Sequence, residues 1–166
     1  VENNYKILAG GTDLLVKMRN GWKVFDSVID IKKIQDIPTL KKMSFEKDGL
    51  YLGALVTFSQ IKDSIDIQNK FPVLHQASKV MGCFEIRNRA TVGGNVCNAS
   101  SGAEGGSSLL VLNTIVNIMG KNGKRAVPLC NFYRLIEHKD GSKRPGIDLQ
   151  PDELVTHFFI PYLPDD

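Results

Sequence analysis

The 166-residue chain lacks most of the features that assign a protein quickly. It has three cysteines, Cys83, Cys97 and Cys130, in no C-x-x-C pair and no metal-ligand spacing. That excludes a disulfide framework and a zinc site, and the odd count fits a reducing compartment. No run is long and apolar enough to span a membrane. No secretory signal is visible, so the expected location is cytoplasmic. The net charge is only +3. Its basic residues are scattered, with small groups at Lys121, Lys124 and Arg125 and at Lys139, Lys143 and Arg144, read as solvated loops. A nucleic-acid interface needs denser Lys and Arg on one face. There is no low-complexity tract and no internal repeat beyond two Gly-Gly turns. A chain of this length, as one domain or two small subdomains, buries a core without staples.

What is present is glycine in two telling places. Ala9-Gly10-Gly11-Thr12-Asp13 and Thr91-Val92-Gly93-Gly94-Asn95 each follow an apolar stretch and lead into small polar residues. Glycine has no Cβ and takes φ > 0, so a ligand approaches the backbone closely. Successive N–H groups in such a turn form a nest for anions such as phosphate. Two such turns suggest a dinucleotide held from two sides. Around the first, residues 5–9 read as a buried strand. A helix from Leu14 to about Asn20 is stopped by Gly21, and Val28 to Ile31 is a second strand. This strand, turn, helix and strand unit is a minimal phosphate holder.

The rest of the pattern is mixed. Asp48-Gly49 between Met43–Glu46 and Leu50–Gly53 predicts a hairpin. Helices are expected from Thr57 or Ser59 to about Ile65 and over Pro72–Met81, ended by Gly82. Residues 84–104 show no period and read as a ligand-binding loop. A short helix over Leu109–Leu112 opens at Ser107 or Ser108. Thr114–Met119 and Ala126–Leu129 flank Asn122-Gly123 as a second hairpin, and Leu154–Ile160 is a final strand closed by Pro161. Residues 134–150 read as a charged loop. The fold class is α+β. A small parallel subdomain over about 1–53 precedes a larger, mostly antiparallel one over 54–166. The chain starts at Val1 with strand-like residues close behind, so truncation at both ends is expected.

Three segments in order, ILAGGTDLL, IRNRATVGGNVCNAS and PDEL with a later IP, resemble the FAD-binding domain of the molybdenum hydroxylases. That family includes the flavin subunit of carbon monoxide dehydrogenase and the flavin domain of xanthine dehydrogenase. The resemblance implies an oxidoreductase component that binds FAD in the cleft between its subdomains. Electrons come from [2Fe–2S] clusters and a molybdopterin site on partner subunits and pass to NAD⁺ or another acceptor. No side chain here is then a nucleophile, general base or metal ligand. The first loop corresponds to Ile7, Leu8, Ala9, Gly10, Gly11, Thr12, Asp13 and Leu14. The amides of Gly10 to Asp13 wrap the pyrophosphate, Thr12 adds a hydroxyl, and Asp13 turns to the helix cap. The second corresponds to Thr91 through Asn98. Thr91 and Asn95 hydrogen-bond the phosphate and ribityl region, and Gly93 and Gly94 permit the close pass. Met81 falls near the adenine and Val155 beside the flavin.

The chain also departs from that pattern. Glu104 stands where the family commonly has Asp, and Ser101 where it has Pro. Either the loop shifts or a bond to the sugar chain is lost. The family's opening helix, its lysine after the IP segment and its C-terminal domain fall outside residues 1–166. FAD is therefore expected to bind this chain more weakly than a full subunit, or not at all. In the family the loop matching 134–150 lies near the isoalloxazine. Lys139, Lys143 and Arg144 either steer an anionic acceptor or sit on a mobile surface loop. Cys97 reads as a packed hydrophobe. His75 reads as structural, His138 as solvated and Trp22 as a packing or subunit-contact residue. His157 shares a face with Val155 only if the last strand is regular. Two other functions stay open: a stand-alone flavin reductase, since GG-T-[DN]-LL also occurs in the enolpyruvoyl-glucosamine reductase family, and a flavin-free scaffold subunit.

Overall fold

The computed structural model describes residues 4–22, 24–100, 102–137 and 140–163. Ser101, His138 and Lys139 lie outside the described residues. The chain opens with a parallel unit: β1 (Tyr5–Leu8), α1 (Leu14–Arg19) and β2 (Ser27–Asp30), with Tyr5 opposite Ser27 and Leu8 opposite Asp30. Gly21, at φ +68°, ends α1. The Gly21 N–H donates to the Met18 carbonyl and the Trp22 N–H to that of Lys17, both at 3.0 Å. One-turn helices at Ile31–Lys33 and Pro38–Leu40 lead to β3 (Met43–Phe45) and β4 (Gly49–Gly53).

Helices follow. In α2 (Phe58–Asp63) Thr57 and Gln60 form a reciprocal capping box. Ser64 ends α2 and caps α3 (Ile65–Lys70), which the sequence pattern had not separated. Pro72 opens α4 (Pro72–Val80), with Met81 as its C-cap. Residues 84–104, expected as a loop, instead hold α5 (Phe84–Arg87) and α6 (Val92–Asn98). Their turns are too short to show a hydrophobic period. The next helix, α7 (Glu104–Val111), starts earlier than its serines suggested, with Ala103 at the N-cap. Then come β5 (Ile115–Gly120), β6 (Gly123–Pro128) and α8 (Leu129–Phe132). The expected charged loop is a hairpin of β7 (Tyr133–Glu137) and β8 (Lys143–Ile147). The last strand is β9 (Glu153–Pro161).

The fold is α+β, with a two-stranded parallel sheet and a five-stranded antiparallel sheet ordered β3-β4-β9-β5-β6. The hairpin Met43–Gly53, expected on the N-terminal side of the boundary, belongs to the larger sheet. On the inner face, Leu50 pairs with Ile160, and Phe158 lies between Leu52 and Val116. Phe58, Ile61, Ile67, Leu74, Val92, Val96 and Leu109 close over that face. Each such fully buried side chain stabilises the fold by about 1.5–3 kcal/mol. The parallel unit is thin by contrast: α1 buries no residue, and Leu15, Val16 and Ile29 remain exposed.

β9 is not regular. Asn117 pairs with His157 but Ile118 pairs with Val155, so Thr156 is an extra residue. The bulge turns Val155 into the core, while His157 faces the other way beside Tyr51. The two therefore do not share a face.

Candidate functional site: a glycine loop braced by a helix start

The first glycine turn connects the end of β1 to α1. Gly11 has φ +80°, which a residue with a Cβ rarely adopts. Gly10 is buried against the backbone of Arg89 and Ala90; a Cβ there would overlap the Arg89 carbonyl. Among the described residues, the amides of Gly10, Gly11, Thr12 and Asp13 donate to no protein acceptor, and neither does the Thr12 hydroxyl. Four unpaired donors in a row make this loop a fit cradle for a diphosphate. Asp13 does not cap α1; its carboxylate pairs with Lys17 at 2.5 Å. The short i,i+4 reach to a cation outcompetes the cap.

The second glycine pair is not a nest but the first turn of α6. Its amides are committed. The Val92 N–H donates to the Val56 carbonyl and that of Gly93 to Ala54, both at 2.9 Å. The Gly94 N–H donates to Thr91 Oγ1 at 3.1 Å. Gly93 is glycine because a Cβ would lie 2.7 Å from Ala54. This turn therefore packs the helix onto the segment after β4 and offers no free backbone donors. Thr91 keeps its hydroxyl hydrogen, and Asn95 keeps its amide donors while Oδ1 accepts from the Gly106 N–H at 3.1 Å.

The two motifs do meet. A Cβ on Gly94 would stand 3.8 Å from that of Ala9. The Lys17 ammonium donates to Asn98 Oδ1 at 3.1 Å. A third tie joins the parallel unit to the larger part, from the Tyr5 hydroxyl to the Pro151 carbonyl. Ile7, Leu8 and Leu14 flank the first loop. Glu104 opens α7, where the helix dipole favours an acidic side chain. Met81 and Val155 are buried in the core and take no part in the contacts joining the loops.

Several residues escaped the sequence reading. Lys32 reaches the first loop: its ammonium donates to the Ala9 carbonyl at 3.1 Å and pairs with Asp30 at 2.8 Å. A third glycine pair, Gly105-Gly106, lets α7 pass Phe58, Asn95 and the Tyr133 hydroxyl. Arg125, expected in a solvated group, is braced by Glu153 at 2.7 Å and Asp148 at 3.2 Å. Arg134 joins at 3.0 Å from Asp148, so the cluster ties the root of the β7–β8 hairpin to the large sheet. The guanidinium of Arg125 holds the Glu153 carboxyl down at about 2. Burial pushes the Cys97 thiol up to about 12, so it is a packed group and not a thiolate. His75 hydrogen-bonds the Lys62 carbonyl at 3.0 Å, a structural role. Trp22 is exposed and does not pack within the chain. Among the described residues no three His, Cys, Asp or Glu side chains cluster closely enough to hold a metal ion. No helix among them is long and apolar enough to cross a membrane.

Comparison with known proteins accounts for this arrangement. The family profile described as "FAD binding domain in molybdopterin dehydrogenase" matches residues 1–163. The nicotinate dehydrogenase FAD-subunit of Eubacterium barkeri is 33% identical over 93% of this chain and 49% of its own length. The xanthine dehydrogenase FAD-binding subunit of Escherichia coli O157:H7 is 29% identical over 97% and 52% respectively. The chain thus spans about half the length of these curated relatives. A carbon monoxide dehydrogenase structure from Hydrogenophaga pseudoflava superposes with a TM-score of 0.86 at 25% identity, covering 97% of this chain and 52% of that one. With its glycine loop, its parallel unit and its antiparallel sheet, the chain belongs to the family of FAD-binding domains of molybdopterin dehydrogenases.

Proposed function

We propose that the chain is the FAD-holding part of a flavoprotein subunit in a molybdenum-dependent dehydrogenase. It takes electrons from iron–sulfur clusters on a partner, with the molybdopterin site on another, and passes them to NAD⁺ or another acceptor. The observation that carries this reading is the row of unpaired amides from Gly10 to Asp13, pressed against Arg89–Ala90. FAD supplies the redox chemistry when bound, and the protein supplies position and electrostatics.

The chain's residues then divide the task. The amides of Gly10, Gly11, Thr12 and Asp13 and the Thr12 hydroxyl hold the diphosphate. Gly93 and Gly94 leave room for the cofactor to pass, and Thr91 and Asn95 turn their remaining donors toward its phosphate and sugar chain. Asn98 holds Lys17 in place beside the loop. Glu104 accepts from a sugar hydroxyl. Met81 and Val155 back the adenine and flavin ends from the core. Ile7, Leu8, Ala9 and Leu14 shape the loop itself.

The test is an absorbance spectrum and flavin analysis of the protein purified with its native partners. The expected result is one FAD per chain, with a band near about 450 nm as flavins show. Bleaching by the molybdenum-site substrate and recovery on adding NAD⁺ would establish the direction of electron flow. A colourless protein that takes up no FAD on titration would overturn the reading.

A further inference from the structure

We propose that Lys32 is the positioning residue of the glycine loop: it fixes the Ala9–Gly10 peptide and sets a positive charge behind the loop that holds the diphosphate. The inference rests on the FAD reading above and adds a residue that neither glycine motif contains.

The topology brings it there. Because β1 and β2 are parallel, their carboxyl ends lie at one edge. Ligands of open α/β units bind outside that edge. The glycine loop leaves β1 there, and Lys32 stands two residues beyond the end of β2. Its side chain is held from both sides, by the Ala9 carbonyl at 3.1 Å and by Asp30 Oδ1 at 2.8 Å. Asp30 is itself fixed, since it caps the following turn by accepting from the Lys32 N–H at 2.9 Å.

The consequence follows from peptide geometry. In a trans peptide the carbonyl and the next N–H share a plane and point in opposite directions. Drawing the Ala9 oxygen toward Lys32 therefore aims the Gly10 N–H the other way, and it turns a repulsive oxygen aside from an anion. An ammonium has three donors, and two are used. The loop's other acids and cations are already matched: Asp13 pairs with Lys17, whose ammonium also serves Asn98. Lys17 and Lys32 each keep a third donor, but Lys32 is the one bonded to the loop's own backbone, so it acts through the Ala9–Gly10 peptide from the side away from the anion.

The test uses the protein purified with its native partners, stripped of flavin and titrated with FAD and with ADP. K32Q, K32R and the neighbouring control K33Q are compared. K32Q is expected to raise both dissociation constants about tenfold, the worth of one charge-assisted hydrogen bond. The loss should shrink at high salt. K32R should restore most of the affinity and K33Q should leave it unchanged. Wild-type FAD affinity in K32Q overturns the proposal, as does a K32R protein as weak as K32Q with an unchanged melting temperature. If K32Q does not fold, K32R and the salt dependence of the wild type decide; salt-independent wild-type binding overturns the proposal. Wild-type protein that binds no FAD sinks the FAD reading and this inference with it. Wild-type binding with an unaffected K32Q sinks only the lysine.

Discussion

At the scale of single residues, glycine identity here follows from what a Cβ would meet. Gly10 abuts the Arg89 carbonyl, which cannot swing away as a side-chain tip can. G10A is expected to destabilise the fold by about 2 kcal/mol, an overpacking cost, and to abolish FAD uptake. Chemical denaturation and flavin titration read both effects. Gly21 differs: its φ is +68° but the space around it is open. G21A should cost about 1 kcal/mol through backbone conformation alone and leave FAD affinity intact. Charge gives a further expectation. The Glu153 carboxyl, ordinarily near 4.5, sits at about 2 beside Arg125. Its lowered value means that the folded state holds the proton less tightly than the unfolded chain. The stabilisation is complete above about pH 4.5 and fades as pH falls toward about 2. E153Q should flatten that acid limb in unfolding measured against pH. The glycine turns were legible in the sequence because their residue types are restrictive. Lys32 was not, because its contact exists only once two strands pair in parallel.

Among the elements, the second glycine pair changed meaning on folding. Its motif looks like a phosphate nest, yet the donors of the first turn of α6 are consumed by Ala54, Val56 and Thr91. Sequence pattern identified the segment but not where its hydrogen bonds went, since Ala54 and Val56 are some forty residues away in the chain. Thr91 is the cap of α6 and, in the proposed function, a cofactor contact as well. T91A should lower stability by about 1 kcal/mol, and T91S should restore it. Thermal unfolding of the two variants checks the cap. The β7–β8 hairpin was hidden for a different reason. Its charged, glycine- and proline-bearing stretch carries a loop's composition, and its strands are held by mutual pairing and by the Arg125–Asp148–Arg134 cluster, not by burial.

For the whole molecule, the parallel unit contributes little core of its own and leans on the larger part through Gly10, Lys17 and Tyr5. A ligand that spans both parts should stiffen their junction as well as occupy it. FAD at a hundred times its dissociation constant is expected to stabilise the folded state by about 2.7 kcal/mol through mass action. Differential scanning calorimetry with and without FAD checks this, and G10A should lose the increment. The α+β class and most strands could be read in advance, since the hairpin turns Asp48-Gly49 and Asn122-Gly123 are strong local signals. The membership of β3 and β4 in the large sheet could not, because it depends on pairing with β9 more than a hundred residues later.

The surplus residue at Thr156 has a consequence for how β9 tolerates change. Upstream of it, odd-numbered Val155 points inward; downstream, even-numbered Phe158 and Ile160 do. Excising that one threonine would restore strict alternation with Val155, Phe158 and Ile160 all still facing inward, at the loss of the bend and of the Thr156 hydroxyl's bond to the Asn117 carbonyl. The strand is thus two half-strands spliced through one surplus residue that neither needs to keep its apolar side chains inward.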